Sequence, residues 1–503
     1  MKAASVLLVL LPAVLAAQSI AIGDYVVPTY GGQPTGIATG PDGALWFTEQ
    51  GYAKIGRITP AGAITEYQVD NSTYGSPSQI AAGPDGALWF TQTPVSQTYY
   101  IGRITTTGTI SEYLIPASYT CNAQDITAGP DGAVWFTCPG GSGSGIGRIT
   151  SGGTVTLFHL STTNGNQIAA GPDGALWFTA WGFSQIGRIT TAGAVTVYTI
   201  PTANSYPAGI TAGPDGALWF AEPGAGQIGR ITTAGAITEY PIPTPESGPS
   251  GITAGPGGAL WFSESYSGKL GRITTAGVIT EYALPNCPCA PQNLTTGPDG
   301  ELWVANQTGS VAGFYYEVGR IDEVVFVNAS LSATPDNGFY YSALNFQGSG
   351  FAPNENVRIY TAGVGSAVLV SATTDSNGSF TTTGRAPASP YGSRIFLGLG
   401  ETSGKLGAAS FSIAPHLFLT PNSGPPGATV TVTGFGFPPF FGQPAIYWKS
   451  PFTYLGLTPE VDSHGIFHPL TITVPAEAAA GANNVFSTAG VANPGGWGIF
   501  TVQ

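Results

Sequence analysis

The stretch GITAGPDGALWFAE at residues 209–222, continued by IGRITTAGAITEYPIP at residues 228–243, decides the fold. It contains four short segments rich in apolar and β-branched residues, separated by turns that contain glycine, which is the pattern of four β-strands. In the GPDG turn, proline presets a negative φ and glycine adopts a conformation that side chains resist. The stretch therefore predicts one four-stranded antiparallel sheet.

This unit recurs along the first three-fifths of the 503-residue chain. GPDG, or GPGG in one copy, begins at Gly40, Gly83, Gly129, Gly171, Gly213, Gly255 and Gly297. A tryptophan follows each copy six residues later, and a second landmark, (I/L/V)GRI, carries Arg57, Arg103, Arg148, Arg188, Arg230, Arg272 and Arg320. Four strands in a repeat of about 42 residues are typical of propeller blades. We predict a seven-bladed β-propeller over residues 18–327.

The ends of the repeat region indicate how such a ring closes. Residues 20–29, IAIGDYVVPT, match the fourth-strand segment ITEYPIPT at residues 237–244, yet they precede the first GPDG. The last unit continues from Arg320 into IDEVVFVN without a fourth strand of that type. We predict that the N-terminal strand completes the seventh blade and leaves no open sheet edge.

A longer repeat follows the propeller region. Pro335, Gly338, Gly348, Gly350 and Phe351 recur 86 residues later as Pro421, Gly424, Gly434, Gly436 and Phe437. Alternating segments such as ATVTVTG predict strands. We predict an all-β chain in which two β-sandwich domains, resembling Ig-like (TIG-type) modules, occupy residues 328–414 and 415–503.

Residues 1–17 read as a secretory signal peptide, with Lys2 before an apolar run and small residues before Gln18. We therefore expect a secreted or exported protein.

No later apolar run reaches the length of a membrane-spanning helix. The formal charge of -13 argues against a nucleic-acid partner, because phosphate binding needs clustered basic residues. The sequence leaves the oligomeric state open.

The two segments at 209–222 and 228–243 are similar to repeats of the virginiamycin B lyase (streptogramin lyase) family, and the resemblance spans roughly residues 20–325. It implies an enzyme that linearises a cyclic depsipeptide antibiotic by elimination, with a histidine base and a magnesium ion on one face of the propeller. Such chemistry needs a base next to a carbonyl and a cation that stabilises the developing enolate.

Two positions in each blade carry this resemblance. The first position precedes GI and holds the histidine of the family's Pro-His-Gly-Ile motif, and the second follows WFT and holds a metal-binding glutamate. Hairpin geometry predicts that they lie opposite each other, away from the GPDG turn. The first positions here are Thr35, Ser78, Gln124, Asn166, Ala208, Ser250 and Gln292. The second positions are Glu49, Gln92, Cys138, Ala180, Glu222, Glu264 and Asn306.

None of the first positions is a histidine, and the chain's four histidines lie elsewhere. His159 falls in an outer fourth strand, and His416, His464 and His468 fall in the C-terminal modules. His464 and His468 flank a predicted turn, which makes a metal pair unfavourable. We therefore predict that the lyase activity has been lost. The alternative is a magnesium-dependent lyase whose base has been replaced, with Glu49, Glu222 and Glu264 as candidate metal ligands. The alternative to a metal site is that these are three solvated carboxylates.

What remains on the same face is a surface for a glycan or a small cyclic ligand. The predicted ligand face comprises Tyr30, Tyr74, Tyr119, Trp181, Tyr206 and Asn306. The alternative is that these aromatic loops only pack on neighbouring blades. The primary prediction is a non-catalytic exported binding protein, and a structural cell-surface or matrix component is a further alternative.

The four cysteines form two separate groups. Cys121 lies three residues before the first position of its blade and Cys138 occupies the second, so we predict a disulfide between them in an exported protein. Cys287 and Cys289 lie near the seventh blade. A small disulfide, a metal site and two reduced thiols all remain open for that pair.

Overall fold

The computed structural model describes residues 19–29, 32–60, 62–70, 75–93, 98–116, 121–139, 144–161, 163–284, 290–306, 309–311, 314–316, 320–327, 329–361, 368–387, 392–437, 443–449, 453–462, 466–488 and 497–503. The predicted signal peptide lies outside the described residues. Within them the regular structure is β-strand, apart from short 3₁₀ turns at Gln50–Tyr52, Trp181–Phe183 and Pro256–Gly258. The all-β prediction is confirmed. No helix in the described part of the chain is long and apolar enough to cross a membrane.

Within the described part of the repeat region the strands form seven sheets of four antiparallel strands each. The closing sheet, sheet 7, begins with the N-terminal strand β1 (Ser19–Val26). Sheet 1 contains β2 (Pro34–Thr39), β3 (Leu45–Glu49), β4 (Lys54–Ile58) and β5 (Ile64–Gln68). Sheet 2 contains β6 (Pro77–Ala82), β7 (Leu88–Gln92), β8 (Tyr100–Ile104) and β9 (Ile110–Leu114). Sheet 3 contains β10 (Ile126–Ala128), β11 (Val134–Cys138), β12 (Gly145–Ile149) and β13 (Val155–His159).

The remaining sheets follow the same order. Sheet 4 contains β14 (Ile168–Ala170), β15 (Leu176–Ala180), β16 (Gln185–Ile189) and β17 (Val195–Thr199). Sheet 5 contains β18 (Ile210–Ala212), β19 (Leu218–Glu222), β20 (Gln227–Ile231) and β21 (Ile237–Pro241). Sheet 6 contains β22 (Pro249–Gly255), β23 (Ala259–Glu264), β24 (Lys269–Ile273) and β25 (Ile279–Ala283). Sheet 7 adds β26 (Pro291–Thr296), β27 (Leu302–Asn306) and β30 (Arg320–Val327), and a small hairpin joins β28 (Gly309–Val311) to β29 (Phe314–Tyr316).

The sheets form a closed ring. The inner strands β2, β6, β10, β14, β18, β22 and β26 contact one another in that order, and β26 contacts β2 again. β1 pairs antiparallel with β30 from Ser19 opposite Val327 to Val26 opposite Arg320. The prediction that the N-terminal strand completes the last sheet is therefore confirmed.

The GRI arginine occupies a different register position in the last sheet. In the first six sheets the GRI arginine pairs with the tryptophan of the second strand, as Arg230 pairs with Trp219. In sheet 7 Trp303 pairs with Glu323, and Arg320 pairs with Asn306. The arginine of the last GRI copy therefore does not take the register position of the other six, because strand pairing, and not the local tripeptide, sets which residues face each other.

The second strand of each sheet lies in the core. All five residues of β19 are buried, and the Trp219 indole packs with Leu260 and Phe262 of the next sheet. The glycine of GRI is needed for this packing: a Cβ on Gly229 would lie 2.1 Å from the ring of Phe220. Apolar burial of this kind stabilises each sheet against its neighbour by roughly 25 cal/mol per Å².

After the ring, a first C-terminal unit contains two sheets. Its strands are β31 (Ser330–Thr334), β32 (Asn337–Gly338), β33 (Ala343–Ser349), β34 (Asn356–Tyr360), β35 (Val368–Thr373), β36 (Phe380–Arg385), β37 (Gly392–Gly400) and β38 (Leu406–Ile413). Strands β31, β33 and β36 form one sheet, and the other five strands form the second. Phe346 of the first and Phe396 and Phe411 of the second share one apolar core.

A second C-terminal unit has its own core around Trp448 and Phe500. Its strands are β39 (His416–Thr420), β40 (Ser423–Gly424), β41 (Thr429–Phe435), β42 (Ala445–Trp448), β43 (Thr453–Leu457), β44 (Phe467–Thr473), β45 (Gly481–Thr488) and β46 (Trp497–Val502). The first unit also contacts the ring, because β37 lies against β1.

Candidate functional site

The candidate site lies where the first two strands of each sheet end, away from the GPDG turn. The strands meet here with a bulge: Glu49 pairs with Pro34, and Ile37 pairs with Phe47. The same shift occurs in sheets 2, 6 and 7. The expectation that the first-position residue lies directly opposite the second position was wrong in these sheets by one residue, because the bulge inserts an unpaired residue.

The first positions form a ring of small and amide side chains. Six of the seven are at least partly exposed, and Ala208 is buried. Their carbonyls are held by the preceding sheet: Thr137 Oγ1 donates a 2.7 Å hydrogen bond to Asn166 O, and Ser263 Oγ donates one of 2.7 Å to Gln292 O. In sheets 1, 2, 3 and 6 the hydroxyl of the WFT or WFS motif therefore ties one sheet to the next.

The second positions lie behind this ring and are buried in all seven sheets. The relative exposure of Glu49, Glu222 and Glu264 is 0%. Reading them as three solvated carboxylates is therefore wrong, because the strand end is covered by the loop that enters the first strand. Asn306 is equally buried, so its side chain does not lie on the exposed face.

Each of the three glutamates lies beside a second glutamate from the fourth strand of its own sheet. In sheet 5, Glu222 Oε1 lies over Gly229, whose strand partner is Glu239. Neither carboxylate oxygen of Glu222 has a hydrogen-bond partner of ordinary geometry. Burial, and then the charge of Glu239, raise the pKa of Glu222 to about 8.

The other two pairs differ from sheet 5 in having a lysine. Burial, followed by the charge of Glu66, raises the pKa of Glu49 well above its usual range, and Lys54 forms a 2.6 Å ion pair with Glu66. In sheet 6 burial and Glu281 raise the pKa of Glu264 to about 7. Lys269 lies 3.5 Å from Glu281. Gln227 of sheet 5 occupies the strand position of these lysines.

The three glutamates do not form one ligand set. No group of three or more His, Cys, Asp or Glu side chains that could hold a metal ion occurs among the described residues. The unpartnered oxygens of Glu222 are the hard donors that magnesium prefers, and Glu239 adds a second carboxylate. The pair could hold a cation only with the Glu222 carboxyl deprotonated, and that carboxyl has no exposed surface.

Comparison with known proteins assigns the ring. The profile of the virginiamycin B lyase family matches residues 20–314. The chain belongs to the virginiamycin B lyase family. A streptogramin B lyase structure shares 33% identity with a TM-score of 0.54, covering 61% of this chain and 98% of that one. A catalytically inactive virginiamycin B lyase from Staphylococcus aureus with quinupristin shares 36% identity with a TM-score of 0.55, covering 61% and 100%.

One curated relative also matches over a short segment. The virginiamycin B lyase of Saccharopolyspora erythraea is 42% identical over 53 residues. That match spans 10% of this chain and 18% of the relative. It covers little more than one repeat of the ring.

The chain departs from the family's Pro-His-Gly-Ile motif after the first position as well as at it. Gln79, Asp125, Gln167 and Asn293 stand where that motif has glycine. Asn293 Nδ2 donates a 2.6 Å hydrogen bond to Gln79 Oε1, although sheet 1 separates their sheets. The side chains therefore meet across the inner edge of sheet 1. Sequence reasoning missed this contact, and the loss of glycine at these positions was the available signal.

Asp125 belongs to the same ring of departures. Its Oδ2 accepts a 2.8 Å hydrogen bond from the backbone N–H of Ile168 in the next sheet. Burial raises the pKa of Asp125 to about 6. The carboxyl group therefore links two sheets and is not an exposed base.

Exposed aromatic side chains mark the same end of the ring. Trp181 and Tyr206 are 45% and 40% exposed, and their ring centroids lie 5.5 Å apart. Tyr30, Tyr74 and Tyr119 lie outside the described residues. Sequence reasoning missed three exposed aromatics that follow second-strand ends within three residues: Tyr52, Phe183 and Tyr266. The signal available in the sequence was that each aromatic follows the last residue of the WFT motif, or of its WFS variant, by three or four residues.

The predicted disulfide between Cys121 and Cys138 is confirmed. Both residues are fully buried. The bond occupies the place where sheet 5 has Ser205 close to Glu222, since Cys121 and Ser205 each lie three residues before a first position.

Cys287, Cys289 and His464 lie outside the described residues. His159 lies at the end of the outer strand β13, as predicted.

Proposed function

We propose that this chain is an exported ligand-binding protein built from a seven-bladed propeller and two Ig-like domains, and that its propeller has lost the lyase chemistry. The proposal rests on the ring of first positions. Elimination requires a base that reaches a proton next to a carbonyl, and these seven positions supply hydroxyl, amide and methyl groups. The secretory segment at residues 1–17 supports export.

The buried glutamates are poor substitutes for the histidine. A base must touch the substrate, whereas Glu49, Glu222 and Glu264 have no exposed surface. With a pKa raised to about 8, the Glu222 carboxyl carries its proton at neutral pH. A protonated carboxyl neither accepts the substrate's proton nor binds a cation well.

The hydrogen bond between Gln79 and Asn293 supports the same conclusion. It fills space at the inner edge of sheet 1 that a glycine would leave open. A ligand on this face would therefore rest on the rim. There Trp181, Tyr206 and Tyr266 offer aromatic surface suited to a glycan or a small cyclic ligand.

The second candidate is a lyase with a substituted base, and the unpartnered oxygens of Glu222 favour it. Glu222 and Glu239 would hold magnesium, which supplies a positive charge that stabilises an enolate when bound. A nearby protein group would then have to take the proton. The structural-component reading predicts no saturable small-molecule ligand on this face.

Mass spectrometry distinguishes these functions. The mature chain is incubated with a streptogramin B antibiotic, with magnesium or with EDTA, beside the double variant Glu222→Ala/Glu264→Ala. The proposal expects no ring-opened product at high protein concentration, with folding verified by circular dichroism. Magnesium-dependent product that disappears in the double variant would establish the lyase.

A further inference from the structure

The first C-terminal unit contains a strained tyrosine where the second unit has a glycine. Tyr341 has a φ of +70°, and Gly427, 86 residues later, has a φ of +83°. The two positions are structurally equivalent: Tyr341 N donates to Ala386 O at 2.9 Å, and Gly427 N donates to Val474 O at 3.0 Å. A bulky residue at positive φ is an outlier, and such strain concentrates at functional sites.

A second departure adjoins the first. The guanidinium carbon of Arg385 lies 4.6 Å above the ring of Tyr341, and Arg385 Nη1 donates a 3.1 Å hydrogen bond to Tyr341 O. Pairing with the adjacent strand places Thr473 at the equivalent position of the second unit. The first unit therefore has both an aromatic ring and a stacked cation that its repeat lacks.

The charge of Arg385 stands out in this chain. The protein has a formal charge of -13, and the propeller arginines such as Arg57 and Arg230 form ion pairs with aspartates. Arg385 is exposed, and no ion pair joins it to a carboxylate among the described residues. An exposed guanidinium of this kind presents several N–H donors to an anionic ligand, for which a carboxylate has the matching geometry.

The pair forms part of a groove of about 650 Å³. This volume falls within the roughly 300–1,000 Å³ of small-ligand sites. The groove is lined in part by Tyr340, Tyr341, Leu369, Thr383, Arg385 and Pro387. Tyr340 stacks on Phe435 of the second unit with 4.4 Å between ring centroids, so one wall is held by the neighbouring unit.

From this combination we infer that the groove beside Tyr341 and Arg385 binds an acidic oligosaccharide, one that carries uronic-acid carboxylates. The apolar face of a sugar packs on the tyrosine ring, the Thr383 hydroxyl bonds a sugar hydroxyl, and the guanidinium of Arg385 receives the carboxylate. This site is separate from the propeller face and does not depend on the function proposed for it.

Isothermal titration calorimetry of the full mature chain tests the inference, with trigalacturonic acid and its methyl ester as probes. The second unit supplies the substitutions: Tyr341→Gly and Arg385→Thr reproduce the residues found there. Tyr454→Ala, which removes an exposed tyrosine of the second unit, is the matched control. Tyr341→Gly relieves backbone strain, and circular dichroism verifies that each variant is folded.

We expect saturable binding of the acid by the wild-type chain. Arg385→Thr should weaken binding of the acid at least about tenfold and leave the ester little changed. Tyr341→Gly should weaken binding of both probes, and Tyr454→Ala should bind as the wild type does. The inference is overturned if the folded wild type shows no saturation up to about 5 mM acid. Wild-type affinity for the acid in both groove variants, or tighter binding of tetraglutamate than of the acid by the wild-type chain, also overturns it.

Discussion

Asp215 Oδ2 accepts a 2.7 Å hydrogen bond from Arg230 Nε, and Asp215 Oδ1 accepts one of 3.0 Å from Trp219 Nε1. The aspartate of the GPDG turn thus joins the second and third strands. The same three-residue contact occurs in sheets 1 to 5. Burial opposes ionisation, but the bonds from Trp219 and Arg230 lower the pKa of Asp215 below its usual range.

The first prediction separates these two bonds. Asp215→Ala leaves the buried Trp219 N–H without its acceptor, and we expect the free energy of unfolding to fall by about 1–3 kcal/mol. Asp215→Asn keeps an acceptor for the indole and loses only a partly exposed ion pair, which costs about 0–1 kcal/mol. Urea unfolding followed by tryptophan fluorescence measures both. Equal losses in the two variants would contradict the assignment of the larger effect to the indole bond.

The second prediction concerns Glu222 and pH. Its pKa is raised to about 8 in the folded chain, against about 4.3 for an exposed glutamate. Between these values the folded state holds a proton that the unfolded state releases, so stability is full below about pH 4.3 and is lost as the pH rises towards 8. Glu222→Gln removes this loss. We expect the variant to match the wild type at pH 4 and to exceed it by a few kcal/mol at pH 8.5.

The control for this pH profile is Glu477→Gln, because Glu477 is exposed in the second C-terminal unit. Its difference from the wild type should be small at both pH values. Other buried carboxyls with raised pKa values, such as Glu112, affect wild type and variant alike. Only the difference between the two curves reports on Glu222. A constant difference from pH 4 to pH 8.5 would refute the assigned pKa shift.

The sequence predicted the ring well because its period and turn chemistry are local. GPDG, the tryptophan and the GRI glycine each have a fixed place in every sheet, so Trp219, Phe220 and Gly229 are found where the motif puts them. The first positions were also located, apart from a one-residue bulge in sheets 1, 2, 6 and 7. Local patterns and tight turns specify antiparallel hairpins strongly.

The contacts missed by sequence reasoning are long-range. The bond from Asn293 to Gln79 joins residues 214 positions apart, and no periodic pattern pairs them. The burial of Glu222 depends on the loop that covers its strand end, and a carboxylate in a sequence is ordinarily taken as solvated. Its partner Glu239 belongs to a fourth strand whose motif, ITEY, gave no sign that the carboxyl faces inward.

The third prediction concerns the disulfide of sheet 3. Cys121 and Cys138 close a short loop between the entry to the first strand and the end of the second. Removing such a link typically costs about 2–4 kcal/mol of stability. We expect the double variant Cys121→Ser/Cys138→Ser to lose that much free energy of unfolding and therefore to unfold at a lower urea concentration. Because both sulfurs are buried, a water-soluble reductant should not reach the disulfide in the native state. Iodoacetamide should then label these two cysteines only after the protein has been unfolded. Labelling of native protein at Cys121 or Cys138, located by peptide mass spectrometry so that Cys287 and Cys289 are counted separately, would contradict the burial.

The last prediction concerns the contact between the ring and the first C-terminal unit. Arg394 of β37 is buried with its guanidinium carbon 4.6 Å above the ring of Tyr25, and Tyr25 in turn stacks on Trp303 at 5.5 Å. Tyr25 lies on β1, the outer strand of sheet 7, which pairs on one side with β30 and closes the ring. The unit therefore stabilises the strand on which ring closure depends.

Arg394→Ala removes a desolvated cation–π contact worth up to about 2 kcal/mol and opens space over Tyr25. We expect the propeller transition, followed by tryptophan fluorescence, to shift to lower urea concentration. Arg358→Ala is the matched control, because Arg358 lies in the same unit and forms an exposed ion pair with Glu401, which should contribute less than about 1 kcal/mol. If the two variants shift the transition equally, the contact does not stabilise ring closure. A shift confined to Arg394→Ala means that the C-terminal unit secures the ring through Tyr25.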